Sequence, residues 1–180
     1  MPQPSPHLLR SIEAIEVPSG TPVMIPEGTE IVVTQSLGDS HTIHTPGPGG
    51  LYRVQPDDAD ALGFPKFVRA DRSQLPFSDD LVWEELRNVY DPEIPVNIVD
   101  LGLVYGVSSK DANDIAGKEV HVAMTLTAPG CGMGPVLAAE ARQRIAHLPG
   151  VARANVELVW DPPWNPERIS GDGKRKLGID

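Results

Sequence analysis

Apolar positions change their spacing near residue 77. Before it they come in short runs, at 12–17, 23–25, 30–35, 41–45 and 51–54. Turn formers separate them: Pro18-Ser19-Gly20, Pro26-Glu27-Gly28 and Gly47-Pro48-Gly49-Gly50. Runs of this length, punctuated by Gly and Pro, predict five short strands of a small antiparallel β unit. Nothing there has helical spacing. The stretch 56–76 has mixed charge, little periodicity and three prolines, and is expected to connect this unit to the next.

After the connector the period becomes helical. Val82, Leu86, Val89 and Tyr90 fall on one face, with Ser78 as N-cap and Asp79 and Asp80 at the positive end of the helix dipole. Pro92 is expected to end this helix. Residues 103–108 read as a strand. In the next, Val120, Val122, Met124 and Leu126 alternate with His121, Ala123, Thr125 and Thr127, the period of a half-buried strand. A turn, Pro129-Gly130-Cys131-Gly132, leads to a second helix with Leu137, Ala141, Ile145 and Leu148 on one face. Pro149-Gly150 stops it, and Val156, Leu158 and Trp160 alternate in a last strand. The fold class is α+β: a β-rich unit over 1–75, then a two-layer helix-strand-strand-helix-strand domain over 76–165. The stretch 166–180 is expected to be a flexible tail.

Composition narrows the function more than the fold. The 180 residues carry a net charge of −10, and the one cationic cluster is the short Lys174-Arg175-Lys176. Nonspecific nucleic-acid binding requires clustered cations that release counterions from phosphate, so that class is disfavoured. No apolar run approaches the ~20 residues that cross a bilayer, and the first residues have neither the charge nor the apolar stretch of a signal peptide. A single cysteine makes no intramolecular disulfide. A reducing, cytoplasmic setting with no membrane partner is the expectation.

Cys131 is the first candidate for chemistry. It follows a strand, stands at or just before a helix start, and has glycine on both sides. Glycine permits a tight turn that leaves sulfur uncovered. The free amides and dipole of a helix start favour thiolate, the form that attacks electrophiles and binds soft metals. The alternative is a small apolar core residue, a common use of free cysteine. Asp91, Glu93 and Asp100 place three carboxylates in a proline-stiffened loop, as hard oxygen ligands or, more simply, as turn formers. Trp160-Asp161-Pro162-Pro163-Trp164 is either a partner platform or packing at the domain edge. His41 and His44 are three apart in an expected strand and should face opposite ways, which disfavours a joint metal site.

Taken together, Asp91-Pro92-Glu93-Ile94-Pro95, the run 98–105 (Ile-Val-Asp-Leu-Gly-Leu-Val-Tyr), Thr125-Leu126-Thr127 and Pro129-Gly130-Cys131 resemble the two motifs of the metal–sulfur cluster assembly domain, known also from PaaD-like proteins. Val17-Pro18-Ser19-Gly20, Ile25-Pro26-Glu27-Gly28-Thr29, Gln35-Ser36-Leu37-Gly38 and the Trp-Asp-Pro-Pro-Trp segment are similar to the SufT-type bacterial members. Asp39 and His41 stand where that pattern has a glycine and an aromatic. The resemblance implies an α/β fold and a role in iron–sulfur cluster assembly. It implies Cys131 as the functional thiol or transient metal ligand, supported by Asp91, Glu93, Asp100, Thr127 and Gly130.

Common clusters take four protein thiolates, so one cysteine does not hold a cluster by itself. Three uses follow: a homodimer presenting two copies of Cys131, a single thiol accepting iron, persulfide or a cluster during hand-off, or an adaptor between carrier and target. No stably bound cofactor is expected. The expected partners are iron–sulfur assembly proteins and apo-protein clients. A carrier or accessory role is favoured over catalysis, with a cysteine-dependent thiol or acyl transferase as the enzymatic alternative.

Overall fold

The computed structural model describes residues 4–47, 49–68, 75–91, 94–128 and 132–179. The chain divides into two units, Met1–Ala70 and Asp71–Asp180. In the first, β1 (Ile12–Val17), β2 (Pro22–Ile25), β3 (Val32–Leu37), β4 (Ser40–His44) and β5 (Leu51–Val54) form one antiparallel sheet, ordered β2-β1-β5-β4-β3. Ile12, Ala14, Ile25, Ile43 and Val54 fill its core together with Leu8 and Ile31.

The expected connector does not begin at residue 56. Pro56–Leu62 forms a 3-10 turn, and Ala61 and Leu62 enter the core of the β unit. Arg10 pins the turn by donating to Asp58 and Asp60 at 2.8 and 2.6 Å. The interleaved aspartates hide this apolar contribution, because a single 3-10 turn shows no extended periodicity.

The second unit contains α1 (Asp79–Leu86), β6 (Val104–Asp111), β7 (Lys118–Met124), α2 (Gly134–Ala146), β8 (Val151–Leu158) and α3 (Gly171–Leu177). Its sheet is ordered β6-β7-β8, antiparallel across β6/β7 and parallel across β7/β8, with α2 as the crossover. Val120, Val122 and Met124 project from the central strand into a core shared with Val82, Leu86, Leu137, Ala141 and Ile145. The architecture is thus α+β, as the alternation of periods implies.

Other boundaries also depart from the sequence reading: β7 stops at Met124, before Leu126 and Thr127, and β8 at Leu158, before Trp160. Helix α1 stops at Leu86 rather than at Pro92, because the following backbone pairs elsewhere: the Val89 carbonyl accepts from Ile98 N–H, and Tyr90 bridges Asn97. Val89 is still buried, so the apolar spacing continues past the helix end. The stretch 166–180, expected to be a tail, instead carries a 3-10 turn at Pro166–Arg168 and helix α3. Ile169 and Gly173 are buried there, and Ser170 caps α3 by accepting from Gly173 N–H.

A charge also lies within the apolar layer. Arg144 is 1% exposed, reaching Glu140 one turn back on α2 and Glu85 on α1. Such a group is tolerable only while its partners remain, since removing one partner of a buried pair costs about 3–5 kcal/mol.

Gly134 sets how closely α2 approaches the sheet. A Cβ there would sit 2.5 Å from Leu126 Cδ1 and 3.3 Å from Leu158 Cδ1. Leu126 is buried and has little room to yield. Gly134→Ala is therefore expected to lower stability by about 1–2 kcal/mol. Urea denaturation of the two proteins measures it, and an unchanged midpoint would show that α2 can shift freely.

Candidate functional site

The β7–α2–β8 crossover opens a loop at the C-terminal end of a parallel strand. In such units the loops leaving the C-terminal ends of parallel strands face outward and carry sites, because strand ends and helix starts direct free backbone groups there. The loop after β7 holds Thr127 and then Cys131. The sulfur, with Pro129 and Gly130, lies outside the described residues, as do Pro92 and Glu93. Helix α2 begins at Gly134, three residues beyond Cys131 in sequence. Its N-cap, Met133, makes no side-chain capping bond, and no acidic residue occupies the first turn. The positive end of the helix dipole is therefore not offset by a side-chain anion of that turn.

The segment 94–103 lies beside the exit of β7. Asp91 is buried and accepts from Ile94 N–H at 2.9 Å, while its own N–H donates to Val96 O at 3.2 Å. This is a carboxylate closing a turn. The segment returns through the Tyr90–Asn97 bridge to Leu103, whose carbonyl accepts from Thr125 N–H at 2.8 Å. Thr127, half-buried, follows two residues later.

Asp100 is placed differently from the other candidates. Its carboxylate accepts from Asn97 Nδ2 at 2.7 Å, Ser170 Oγ at 2.9 Å and Lys176 Nζ at 3.2 Å. Its N–H donates to Asn97 Oδ1 and its carbonyl accepts from Ser170 N–H, both at 2.8 Å. Burial alone would raise its pKa, but the bonds from Asn97, Ser170 and Lys176 outweigh that and hold it below the ordinary carboxylate value. Asp100 thus engages the C-terminal segment, whose sequence pattern alone presents a tail. Ser170 and Lys176 were missed for that reason. The available signal was Ser170 three residues before Gly173, a capping pattern at the start of a cationic turn.

The tryptophan segment divides its two expected uses. Trp164 packs against the domain core and donates from Nε1 to Leu101 O at 2.8 Å. Trp160 is 45% exposed. Between them, the Pro162 carbonyl accepts from Tyr105 Oη at 2.7 Å, and the Arg168 guanidinium lies over the Tyr105 ring, 4.3 Å from its centre. In the other unit His41 stacks on Phe64 and its Nδ1 lies 2.7 Å from Ser36 Oγ. Among the described residues, no three His, Cys, Asp or Glu side chains are grouped to hold a metal.

The family described as iron–sulfur cluster assembly protein matches residues 79–158, from α1 to the end of β8, and so encloses the β7–α2 loop. The Fe-S protein maturation auxiliary factor YitW of Bacillus subtilis is 42% identical over 94 residues, which span 52% of this chain and 87% of that one. The chain belongs to the iron–sulfur cluster assembly protein family. Another relative, the Fe-S protein maturation auxiliary factor SufT of Staphylococcus aureus, is 38% identical over 91 residues, 51% of this chain and 98% of that one. A crystal structure of a domain of unknown function from Bacillus anthracis superposes with a TM-score of 0.50 at 35% identity, covering 56% of this chain and 92% of that one. For this family member the relatives account for about half of the chain. Among its described residues, no helix is long and apolar enough to cross a membrane.

The depressed pKa of Asp100 has a definite sign in stability. Its carboxylate contributes above the unfolded value, near 4, and the contribution is lost as pH falls through the lower folded value. Asp100→Asn is expected to cost about 1–3 kcal/mol at pH 7, because charge-assisted bonds are lost. The difference from wild type should shrink at pH values below about 4. Urea midpoints at both pH values measure this, and a constant difference would assign the effect to shape alone.

Proposed function

We propose that this protein is an iron–sulfur maturation factor that transiently accepts iron, sulfur or a cluster through Cys131, in a site completed by a partner or a second copy of the chain. The observation that carries this reading is the position of the chain's single cysteine, within the family match and in the loop between β7 and α2. Relatives named as Fe-S protein maturation auxiliary factors align at 42% and 38% identity. A protein of Synechocystis named an iron–sulfur cluster carrier is 30% identical over 104 residues, 28% of its own length.

The chemistry follows from the helix start and from the count of thiols. The dipole of α2 and its first-turn amides lower the free energy of a nearby thiolate. Thiolate is a soft ligand suited to iron–sulfur cargo. A single thiolate supplies one of the four protein ligands that common clusters use, and the rest must come from elsewhere. An incomplete shell exchanges readily, which suits delivery. Asp91, Glu93 and Asp100, with Thr127 and Gly130, serve in this account to shape the loops around the sulfur. The reducing cytoplasm, iron–sulfur assembly proteins and apo-protein clients are the setting and partners that fit such a thiol.

An adaptor role is the second reading, favoured by one observation. Trp160 is exposed beside two exposed prolines at the end of β8, and aromatic side chains in such positions anchor protein partners.

Anaerobic loading with ferrous iron and sulfide, followed by transfer to an apo-ferredoxin, separates the readings. The wild-type protein is expected to bind iron and pass it on, and Cys131→Ala is expected to lose at least about tenfold in iron affinity, no less than the loss of an outer-shell partner of a ligand would cost. Equal iron content in both proteins would remove Cys131 from the mechanism. Trp160→Ala should leave iron content unchanged in the carrier reading.

A further inference from the structure

The sheet of the second unit ends on two unequal edges. On one side β6 carries a register shift between Val104 and Gly106, and Ser109 Oγ ties it to α1 by donating to Asp79 Oδ1 at 2.8 Å. A bulge, a glycine and a covering contact blunt an edge against further pairing. On the other side β8 runs over eight residues, Val151–Leu158, with neither glycine nor proline. Its register shift falls at its start, opposite Lys118 and Glu119, so the strand from Arg153 onward is regular.

One bond fixes which way the backbone of β8 points. Val159 N–H donates to Met124 O across the parallel pair, so Arg153, Asn155 and Glu157 direct their backbone groups at β7. Ala154, Val156 and Leu158 direct theirs away from the sheet, and among the described residues no hydrogen bond reaches them. Such a row of open groups accepts another strand. The side chains then select which strand fits. Ala154, Val156 and Leu158 pack against the apolar core, and Arg153, Asn155 and Glu157 stand exposed on the opposite face. In an antiparallel pair, outward-directed residues meet each other, because only they exchange both backbone bonds. If a second β8 is centred on Asn155, Ala154 meets Val156 of the other copy and Arg153 meets its Glu157. The two-fold axis repeats both pairs. Arg153 and Glu157 then occupy the closer, non-hydrogen-bonded positions, where opposite charges stabilise a sheet. Sliding the partner by two residues in either direction sets Asn155 opposite Arg153 or Glu157 and loses both charge pairs.

We propose that β8 is the docking edge for a second copy of this chain, whose own β8 adds antiparallel about Asn155 and joins two three-stranded sheets into one. This surface is separate from the loop after β7, and neither the pairing nor its test depends on Cys131. The charges it uses are open to exchange. Glu157 forms no ion pair among the described residues. Arg153 donates to Asp114, but that pair is 43% and 59% exposed and worth little, so it yields to a better placed carboxylate. Arg142, exposed on α2, lines the same hollow as Asn155 and Glu157 and brings a second cation to the acidic end of the strand. Strand pairing alone covers little area, so the dimer is weak and reversible.

The test is sedimentation equilibrium of the full chain without metal, from micromolar to submillimolar concentration, with reductant present so that no disulfide joins two chains. Wild type is expected to dimerise reversibly, and more weakly as salt rises, because the charge pairs are exposed. Arg153→Glu and Glu157→Arg each set like charges opposite one another, and each is expected to raise the dissociation constant at least about tenfold. Mixed in equal amounts, the two variants should associate with each other about as tightly as wild type, since their charges then oppose across the interface. Asp114→Asn should leave dimerisation intact. A wild-type chain that stays monomeric at the highest concentration would overturn the proposal, as would a dimer that neither substitution weakens. A mixture that associates no better than the separate variants would overturn the pairing of Arg153 with Glu157. Both positions are exposed, and unchanged circular dichroism of the variants checks that each retains the fold.

Discussion

A carboxylate held at 15% exposure has to be surrounded by donors, because desolvation without replacement bonds drives it toward the neutral form or back into water. Asp100 meets that constraint with groups from two distant parts of the sequence: Asn97 on its own turn, and Ser170 and Lys176 beyond the last strand. The requirement shapes its surroundings. Gly102 and Gly173 lack side chains where the two segments meet, and a seven-residue helix becomes stable where it otherwise would not be. The turn so fixed hands its geometry to Leu103 and then to Thr125, where the central strand ends.

The division of labour among the acidic residues follows. Asp91 and Asp100 are committed to backbone and side-chain donors, which suits them to holding a loop. In the proposed account the thiol is left as the soft ligand, standing in sequence order between β7 and a helix start without a side-chain cap. The missing ligands in that account come from outside. That combination permits binding and release through one residue, whereas a complete shell of four would retain its cargo.

Much of this organisation is legible in the sequence, for reasons particular to each element. Val120, Val122 and Met124 alternate in a strand with one buried face, so period two marks β7 directly. The β unit is visible because its runs are short and its turns rich in Gly and Pro. The end of α1 is not visible, since Val89 remains buried after the helix has stopped and the apolar spacing carries on. The 3-10 turn at Pro56–Leu62 is masked by its aspartates. Arg144 reads as surface but falls on the same helical stripe as Leu137 and Ala141, where Glu140 and Glu85 accept it. The role of the last segment was the least legible. Ser170 and Lys176 acquire their use only from Asp100, 70 and 76 residues away in sequence, and no local pattern encodes such a pairing.

The central claim is that Cys131 shares its cargo with a second source of ligands. Native mass spectrometry after anaerobic loading with iron and sulfide tests it most directly, because it counts chains and iron in the same particle. The account predicts cluster-bearing species that contain two copies of the chain or one copy with an added thiol, and none of them with Cys131→Ala. A single chain that retains a complete cluster with no second thiol source would contradict it.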